Sequence, residues 1–156
     1  MSELRTNRIV PRDGLASGAY GGIIQVKYAN TTTTQTIATT TYTDTGLAVT
    51  ITPTRADSAV LLMISLNSNG GGTNRLKLRL VRTVGGSDTT IFTVAEALVD
   101  YGGSNIHVQG LGNNFIDTPS TTSAVTYKLQ VSSHNGNSVN VNNNGRTDLI
   151  VMEIAS

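Results

Sequence analysis

The chain contains no cysteine and no tryptophan among its 156 residues, and only 13% of its residues are charged. The absence of cysteine excludes a disulfide framework, a thiolate zinc site and a cysteine nucleophile. The formal net charge is only +1, so no strong field attracts nucleic acid or an anionic membrane. No apolar run approaches the ~20 residues of a membrane-spanning helix, and the N-terminus lacks the apolar core of a signal peptide. We therefore expect a protein made in the cytoplasm that binds neither nucleic acid nor a membrane.

Residues 1–22 differ from the rest of the chain and are predicted to form an extended N-terminal arm that ends in a glycine-rich hinge. Arginines alternate there with aliphatic residues, no helical period is present, and Pro11 favours an extended conformation at Val10. A disordered tail is the alternative interpretation. The candidate partner-docking residues of this arm are Leu4, Arg5, Arg8, Ile9, Val10 and Arg12.

Residues 23–156 are predicted to form a single β domain. Thr, Ser, Asn and Gly supply most of its polar content, which suits strands and turns and disfavours helices. Apolar and polar residues alternate with period two at residues 76–80 and 125–131, as expected of half-buried strands. The continuous apolar run at residues 60–66 indicates a central strand with both faces covered.

Glycine-containing segments mark the predicted turns. Gly85-Gly86 predicts a hairpin, and residues 67–72 are predicted to form a turn. Asn135-Gly136 is a strong hairpin signal and Asn144-Gly145 a second one, so the last three strands are predicted to form an antiparallel meander. Residues 95–98 are the one segment with good helix formers, and they are predicted to form a single helical turn at most.

Nine or ten strands without a substantial helix predict an all-β fold, an antiparallel β-sandwich with an extended N-terminal arm. Eight core strands in two sheets, a jelly-roll-like arrangement, fit the length of the chain. An immunoglobulin-like sandwich fits nearly as well. The order of the strands cannot be read from the pattern.

No combination of residues predicts catalysis or a cofactor. His107 is interpreted as a surface residue of a strand, and His134 as a surface residue beside a turn. The Gly-x-Ser-x-Gly elbow of a hydrolase is absent. Five aspartates stand beside turn residues, where Asp commonly bonds its own backbone; they are Asp44, Asp57, Asp88, Asp117 and Asp148. We therefore expect a protein that is not an enzyme and that holds no metal or other cofactor.

Two further patterns have a functional and a structural interpretation. One resembles a calcium-binding loop but has Val151 where such a loop needs a bidentate Glu; it consists of Asn140, Asn142, Asn144, Gly145 and Asp148. A hairpin explains these residues equally well. The other is a cluster of basic residues, of which Arg75, Lys77 and Arg79 are predicted to share the outer face of a strand. Such a face is either solvated or contacts acidic residues of a partner.

Three segments of the chain resemble small virion structural proteins of tailed bacteriophages, especially phages of marine bacteria and cyanobacteria. The segments are SELRTNRIVPRDG at 2–14, GGIIQV at 21–26 and TDTGLAVTITP at 43–53. The resemblance covers roughly the first 66 residues and is only compositional beyond them. It implies a tail-fibre-like or capsid-decoration role, a location in the virion after assembly in the host cytoplasm, and a homotrimer.

Three functions compete at this point. The preferred one is a capsid decoration protein that its N-terminal arm attaches to other virion proteins, either the major capsid protein or tail proteins. The alternative is a tail-fibre or appendage protein that contacts the host surface, with a host glycan as a possible ligand. A glycan-cleaving enzyme is the third and least supported. The short arm favours decoration, because a complete fibre needs a long shaft or a separate anchoring domain.

Overall fold

A computed structural model describes residues 22–103 and 106–155 of the chain. These residues form ten β-strands, and no helix long and apolar enough to cross a membrane is found among them. The strands are β1 (Ile23–Thr31), β2 (Gln35–Ile37), β3 (Thr43–Ile51), β4 (Ala59–Gly70), β5 (Asn74–Val84), β6 (Ser87–Tyr101), β7 (Ile106–Asp117), β8 (Val125–Ser133), β9 (Val139–Val141) and β10 (Thr147–Ile154).

The strands pair antiparallel and form two sheets. Sheet A follows the path β1-β10-β4-β9-β2, with β7 also paired to β4, and sheet B has the order β3-β8-β5-β6. Strand β7 pairs with one edge of β4. Along the other edge of β4, β10 pairs with the first stretch and β9 with the next. β9 and β10 therefore occupy one position in the sheet, and β2 and β1 occupy the next, where they pair with β9 and β10.

This strand order is that of a jelly roll. If β1 with β2, and β9 with β10, each count as one interrupted strand, the two sheets hold eight strands in the orders 1-8-3-6 and 2-7-4-5. A jelly roll is the double-sheet architecture in which eight strands form two Greek keys. The predicted all-β antiparallel sandwich is confirmed, and its order is that of the jelly roll rather than of an immunoglobulin-like domain.

The hydrophobic core lies between the two sheets and follows from period-two alternation. Successive side chains of a strand point to opposite faces, so the apolar residues from Val125 to Val131 in β8 are buried while the polar residues between them face outward. Facing them from β4 are Val60, Leu62, Ile64 and Leu66. Removing such apolar surface from water stabilises the fold by roughly 25 cal/mol per Å².

The predicted helical turn at residues 95–98 is wrong. The segment lies within β6, where the pairing with β5 moves from Leu78–Val94 to Leu76–Val99. Four residues of β6 therefore lie opposite the single residue Lys77 of β5, and the excess of three forms a bulge in this ladder. Pairing with β5 on both sides of the bulge outweighs their modest helix propensity, which is a weak local preference.

The predicted meander at the C-terminus is also wrong. Strand β8 lies in sheet B, whereas β9 and β10 lie in sheet A, where both pair with β4 and not with each other. Asn135-Gly136 does turn the chain, with Gly136 at a φ of 80°, but it leads from one sheet to the other. A hairpin signal reports only local turn geometry, and the turn alone does not decide which strands pair.

Two strand boundaries also differ from the prediction. The turn expected at residues 67–72 begins only after Gly70, because β4 continues to that residue and pairs with β7 and β9 there. The two short strands expected around Ile106 and Phe115 form the single strand β7. Polar residues at these positions are compatible with strand structure because neighbouring strands satisfy their backbone groups.

Candidate docking surface

The outer face of sheet A is apolar at the edge strand β1. The side chains of Gln25 and Ala29 point toward the interior. Gln25 donates a hydrogen bond to Glu153 there, and Ala29 packs against the core. Val26 and Tyr28 point to the other side and are 51% and 71% exposed. Val26 and Tyr28 therefore lie on one face of β1, as period-two alternation requires, and this face points into solvent.

The apolar surface continues from β1 across three neighbouring strands. Directly paired residues in antiparallel strands have their side chains on the same face of the sheet. One row consists of Val26, Met152, Leu61 and Ile116, and the next of Tyr28, Ile150, Met63 and Asn114. We call the following ten residues the apolar face: Ile23, Ile24, Val26, Tyr28, Leu61, Met63, Ile116, Ile150, Met152 and Ile154.

Polar residues bound the apolar face at one end. The next row of paired residues is Asn30, Asp148, Ser65 and Gly112. Asp148 accepts a hydrogen bond from Arg146 at 3.1 Å, so its charge is balanced by a neighbour. The surface therefore has an uncharged apolar part and a polar margin, as docking surfaces between proteins do.

The outer face of sheet B has the opposite character. Arg75 pairs with Asp100 at 3.0 Å, and Lys128 pairs with Asp88 at 3.1 Å. These ion pairs lie on a surface that water solvates well, where each contributes little to stability. The two outer faces of the sandwich thus differ sharply in polarity.

The predicted basic stripe lies on the outer face of sheet B. Lys77 and Arg79 both lie over the ring of Tyr42, with the Arg79 guanidinium carbon 4.5 Å from the ring centroid. Arg79 also donates to Gln130 at 2.5 Å. Contacts within the chain thus engage these cations, which supports the solvated-face interpretation over contact with an acidic partner.

The two histidines lie on different elements of the fold. His107 is an exposed residue of β7, and its Nε2 lies 3.4 Å from the side-chain nitrogen of Asn69. The backbone N–H of His134 donates to the carbonyl of Arg75 at the turn after β8. Among residues 22–103 and 106–155, no three His, Cys, Asp or Glu side chains come together as metal ligands do.

The calcium-like pattern forms a loop whose side chains diverge. Asn142 is buried, donates to the carbonyl of Thr33 and accepts from the hydroxyl of Thr147. Asp148 lies on the outer face of sheet A with Arg146. The oxygens of Asn142 and Asp148 therefore do not converge on one point, as a calcium site requires.

In the part of the chain that the structure describes, two carboxylates are buried, and both accept hydrogen bonds from neighbouring side chains. Glu153 accepts hydrogen bonds from Gln25 and Thr54. Asp117, expected to bond its own backbone at a turn, instead accepts from Arg82 and from the hydroxyl of Tyr127. That expectation is therefore wrong for Asp117.

The predicted docking residues cannot be placed, but the point where the arm joins the domain is described. Leu4, Arg5, Arg8, Ile9, Val10 and Arg12 lie outside the described residues. The first described residue, Gly22, accepts a hydrogen bond from the backbone of Ala155 at 3.2 Å and precedes Ile23. The described part of the chain therefore begins at the apolar face, beside the edge strand β1.

The apolar face was missed because its residues were expected to be covered. The apolar run at residues 60–66 predicts a strand with both faces buried, and residues 149–154 are apolar on both sides apart from Glu153. The structure confirms that β4 is central, but Met63 on its outer side is 37% exposed. Strands that are apolar on both sides were the signal that could have indicated the apolar face. The sequence pattern does not specify what covers the second side.

The comparisons with known proteins do not identify a family. No family model matches the chain, and no curated protein is similar enough to it to count as a relative.

Proposed function

We propose that the chain is a non-enzymatic structural protein of a phage virion, namely a capsid decoration protein attached to the particle by its N-terminal arm. Three things support the proposal: the resemblance of roughly the first 66 residues, the jelly-roll order of the strands, and the outer face of sheet A. Jelly rolls are common in viral capsid proteins, and also in lectins and enzymes. Fold alone therefore does not carry the proposal.

The apolar face is the observation that carries it. Ten apolar side chains cover four adjacent strands with no charged residue between them. Contiguous exposed apolar surface of this extent marks a protein interaction site, because leaving it in water is unfavourable. A protein built to join a larger assembly has such a surface.

The arm supplies a second means of attachment. An extended segment can add to the edge of a partner's sheet through its backbone, while its apolar side chains fill pockets. In the arm, Leu4, Ile9 and Val10 would fill such pockets, and Arg5, Arg8 and Arg12 would meet carboxylates of the partner. The partner is another virion protein, either the major capsid protein or a tail protein.

Removing residues 1–14 tests the attachment. We expect the truncated chain to fold, because the described sandwich begins only at Gly22, but to be missing from particles. The measurement is a gel of particles purified after infection in which only the truncated protein is supplied. Circular dichroism of the purified truncated chain verifies that it folds.

A point variant with a matched control sharpens this test. Ile9→Asp places a charge on a predicted pocket-filling side chain and should reduce incorporation at least tenfold, whereas Thr6→Ala in the same arm should incorporate normally. Normal amounts of the truncated protein in particles would refute attachment by the arm. Copy number then separates the two virion roles: hundreds of copies per particle indicate the shell, and a few dozen or fewer indicate a tail appendage.

A further inference from the structure

We propose that the apolar face of sheet A packs against the same face of a second copy of the chain, forming a two-fold symmetric pair. The inference rests on the assembly role proposed above, but not on where in a particle the protein lies. Size, charge and shape of the face each support this occupant.

The size of the face suits a stable pair. Six of its residues are 37–71% exposed: Ile23, Ile24, Val26, Tyr28, Met63 and Ile116. At roughly 200 Å² for a fully exposed side chain of this kind, these fractions correspond to roughly 600 Å². The four partly buried members of the face add to this area. Stable interfaces bury about 800 Å² on each partner, so the face approaches what one half of such an interface requires.

The charge of the face favours a self-contact. A two-fold contact brings the same surface of both copies together, so any charge within it would meet its own kind. The apolar face contains no charged side chain, and at its polar margin Asp148 and Arg146 balance each other. Lys27 lies between Val26 and Tyr28 in β1, so alternation directs its side chain to the other side of the strand. A self-contact therefore buries apolar surface without placing like charges together.

The N-terminal arm of the same chain is the other candidate occupant of the apolar face. The positive charges of the arm make this arrangement unfavourable. The arm contains Arg5, Arg8 and Arg12 but only Glu3 and Asp13 as acids. The apolar face has no carboxylate to receive the arginines. Covering the face with the arm would take cationic side chains out of water without partners, which is unfavourable.

The shape of the face also suits a second sheet. Two sheets pack face to face about 10 Å apart, with their strands within about 30° of each other. Rows of β-branched, methionine and tyrosine side chains on β1, β10 and β4 provide the interdigitating surface that such packing uses. A pair formed in this way differs from the trimer that the phage resemblance implies. The mass of the purified protein in solution distinguishes the two.

The test is the mass of the purified full-length chain in solution, measured by light scattering after size exclusion and by sedimentation. We expect twice 16.4 kDa. Val26→Lys and Tyr28→Lys each place a charge on the face at a well-exposed position, and each should convert the pair to single chains. Thr50→Lys is the matched control, since Thr50 is an exposed, outward-facing residue of β3, an edge strand of sheet B. This variant should remain paired.

Thermal unfolding of each variant shows that the lysine variants still fold. Deleting residues 1–21 should leave the pair intact. A wild-type mass of one or three chains would overturn the proposal, as would a pair that survives both lysine variants or dissociates equally with Thr50→Lys. A wild-type single chain that pairs only after residues 1–21 are removed would identify the arm as the occupant. None of these masses bears on incorporation into particles, so the proposed function succeeds or fails separately.

Discussion

At the scale of single residues, Glu153 shows how a carboxylate is kept ionised inside a β-sandwich. Burial raises the pKa of this carboxyl, but hydrogen bonds from Gln25 and Thr54 lower it more, so that the pKa lies below its ordinary value. The carboxylate accepts from the Gln25 amide at 2.6 Å and from the Thr54 backbone at 2.7 Å. It thereby joins β10 to β1 and to the loop after β3.

This carboxylate predicts a specific dependence of stability on pH. A group whose pKa is lower in the folded state stabilises the protein above its unfolded pKa, near 4.3, and stops doing so as pH falls through the folded pKa. Glu153→Gln should cost about 1–2 kcal/mol at pH 7, because it removes a charged acceptor from several donors. We expect the free-energy difference between variant and wild type to shrink below about pH 4.

Urea unfolding at a series of pH values measures this difference. Glu96→Gln is the control, since Glu96 is an exposed residue of β6, and at pH 7 it should change the unfolding free energy by less than about 0.5 kcal/mol. A Glu153→Gln cost that stays constant down to the acid transition would contradict the proposed cause.

At the scale of elements, Asn144 and Gly145 lie in the loop between β9 and β10. The loop interrupts a strand position rather than closing a hairpin, and it packs on Asn67 of β4. A β-carbon at Gly145 would overlap the side-chain amide of Asn67, so the close approach of loop and strand requires glycine. Asn142 and Asn144 adopt positive φ angles of 61° and 58° in the same loop.

Gly145→Ala should therefore destabilise the domain by about 2 kcal/mol, because the added methyl group displaces a buried side chain. Gly102→Ala is the matched control, since a β-carbon there meets nothing within 4 Å. In an Asn67→Ala background the cost of Gly145→Ala should largely disappear, which a double-mutant cycle by urea unfolding measures. Equal costs in both backgrounds would show that the two residues are not coupled.

The sequence predicted the turn residues of this element but not their partners. Glycine and asparagine indicate where the chain can adopt a left-handed backbone conformation, and both turns of the C-terminal third lie where these residues predict them. Whether β8, β9 and β10 pair with one another depends on residues far away in the chain. Val141 pairs with Ser68 and Leu149 with Ile64, and no local signal encodes these contacts.

At the scale of the whole molecule, a polar bridge joins the two sheets at one end of the core. Asp117 at the end of β7 accepts from Arg82 at 2.9 Å and from the Tyr127 hydroxyl at 2.8 Å. Arg82 and Tyr127 belong to sheet B, whereas Asp117 belongs to sheet A. Burial and the neighbouring Asp117 carboxylate raise the pKa of Tyr127 far above its ordinary value, so the hydroxyl remains a donor.

Asp117→Asn should destabilise the domain by about 3 kcal/mol, because it leaves the partly buried Arg82 without its counter-charge. Asp148→Asn makes the same chemical change in the pair with Arg146, whose side chain is 60% exposed. That control should cost less than about 1 kcal/mol. Denaturant unfolding compares the two, and similar costs would mean that the bridge contributes no more than a surface ion pair.

The all-β class, the positions of most strands and the extent of the core follow from period-two alternation, which is a local property of the chain. The tertiary structure alone decided the jelly-roll order and the pairing of β4 with β9 and β10, because pairing between distant strands depends on how the whole chain packs. It also decided which apolar side of β4 and β10 faces the core. Each strand offers two apolar sides, the domain has a single second sheet to cover one of them, and the other remains available to a partner.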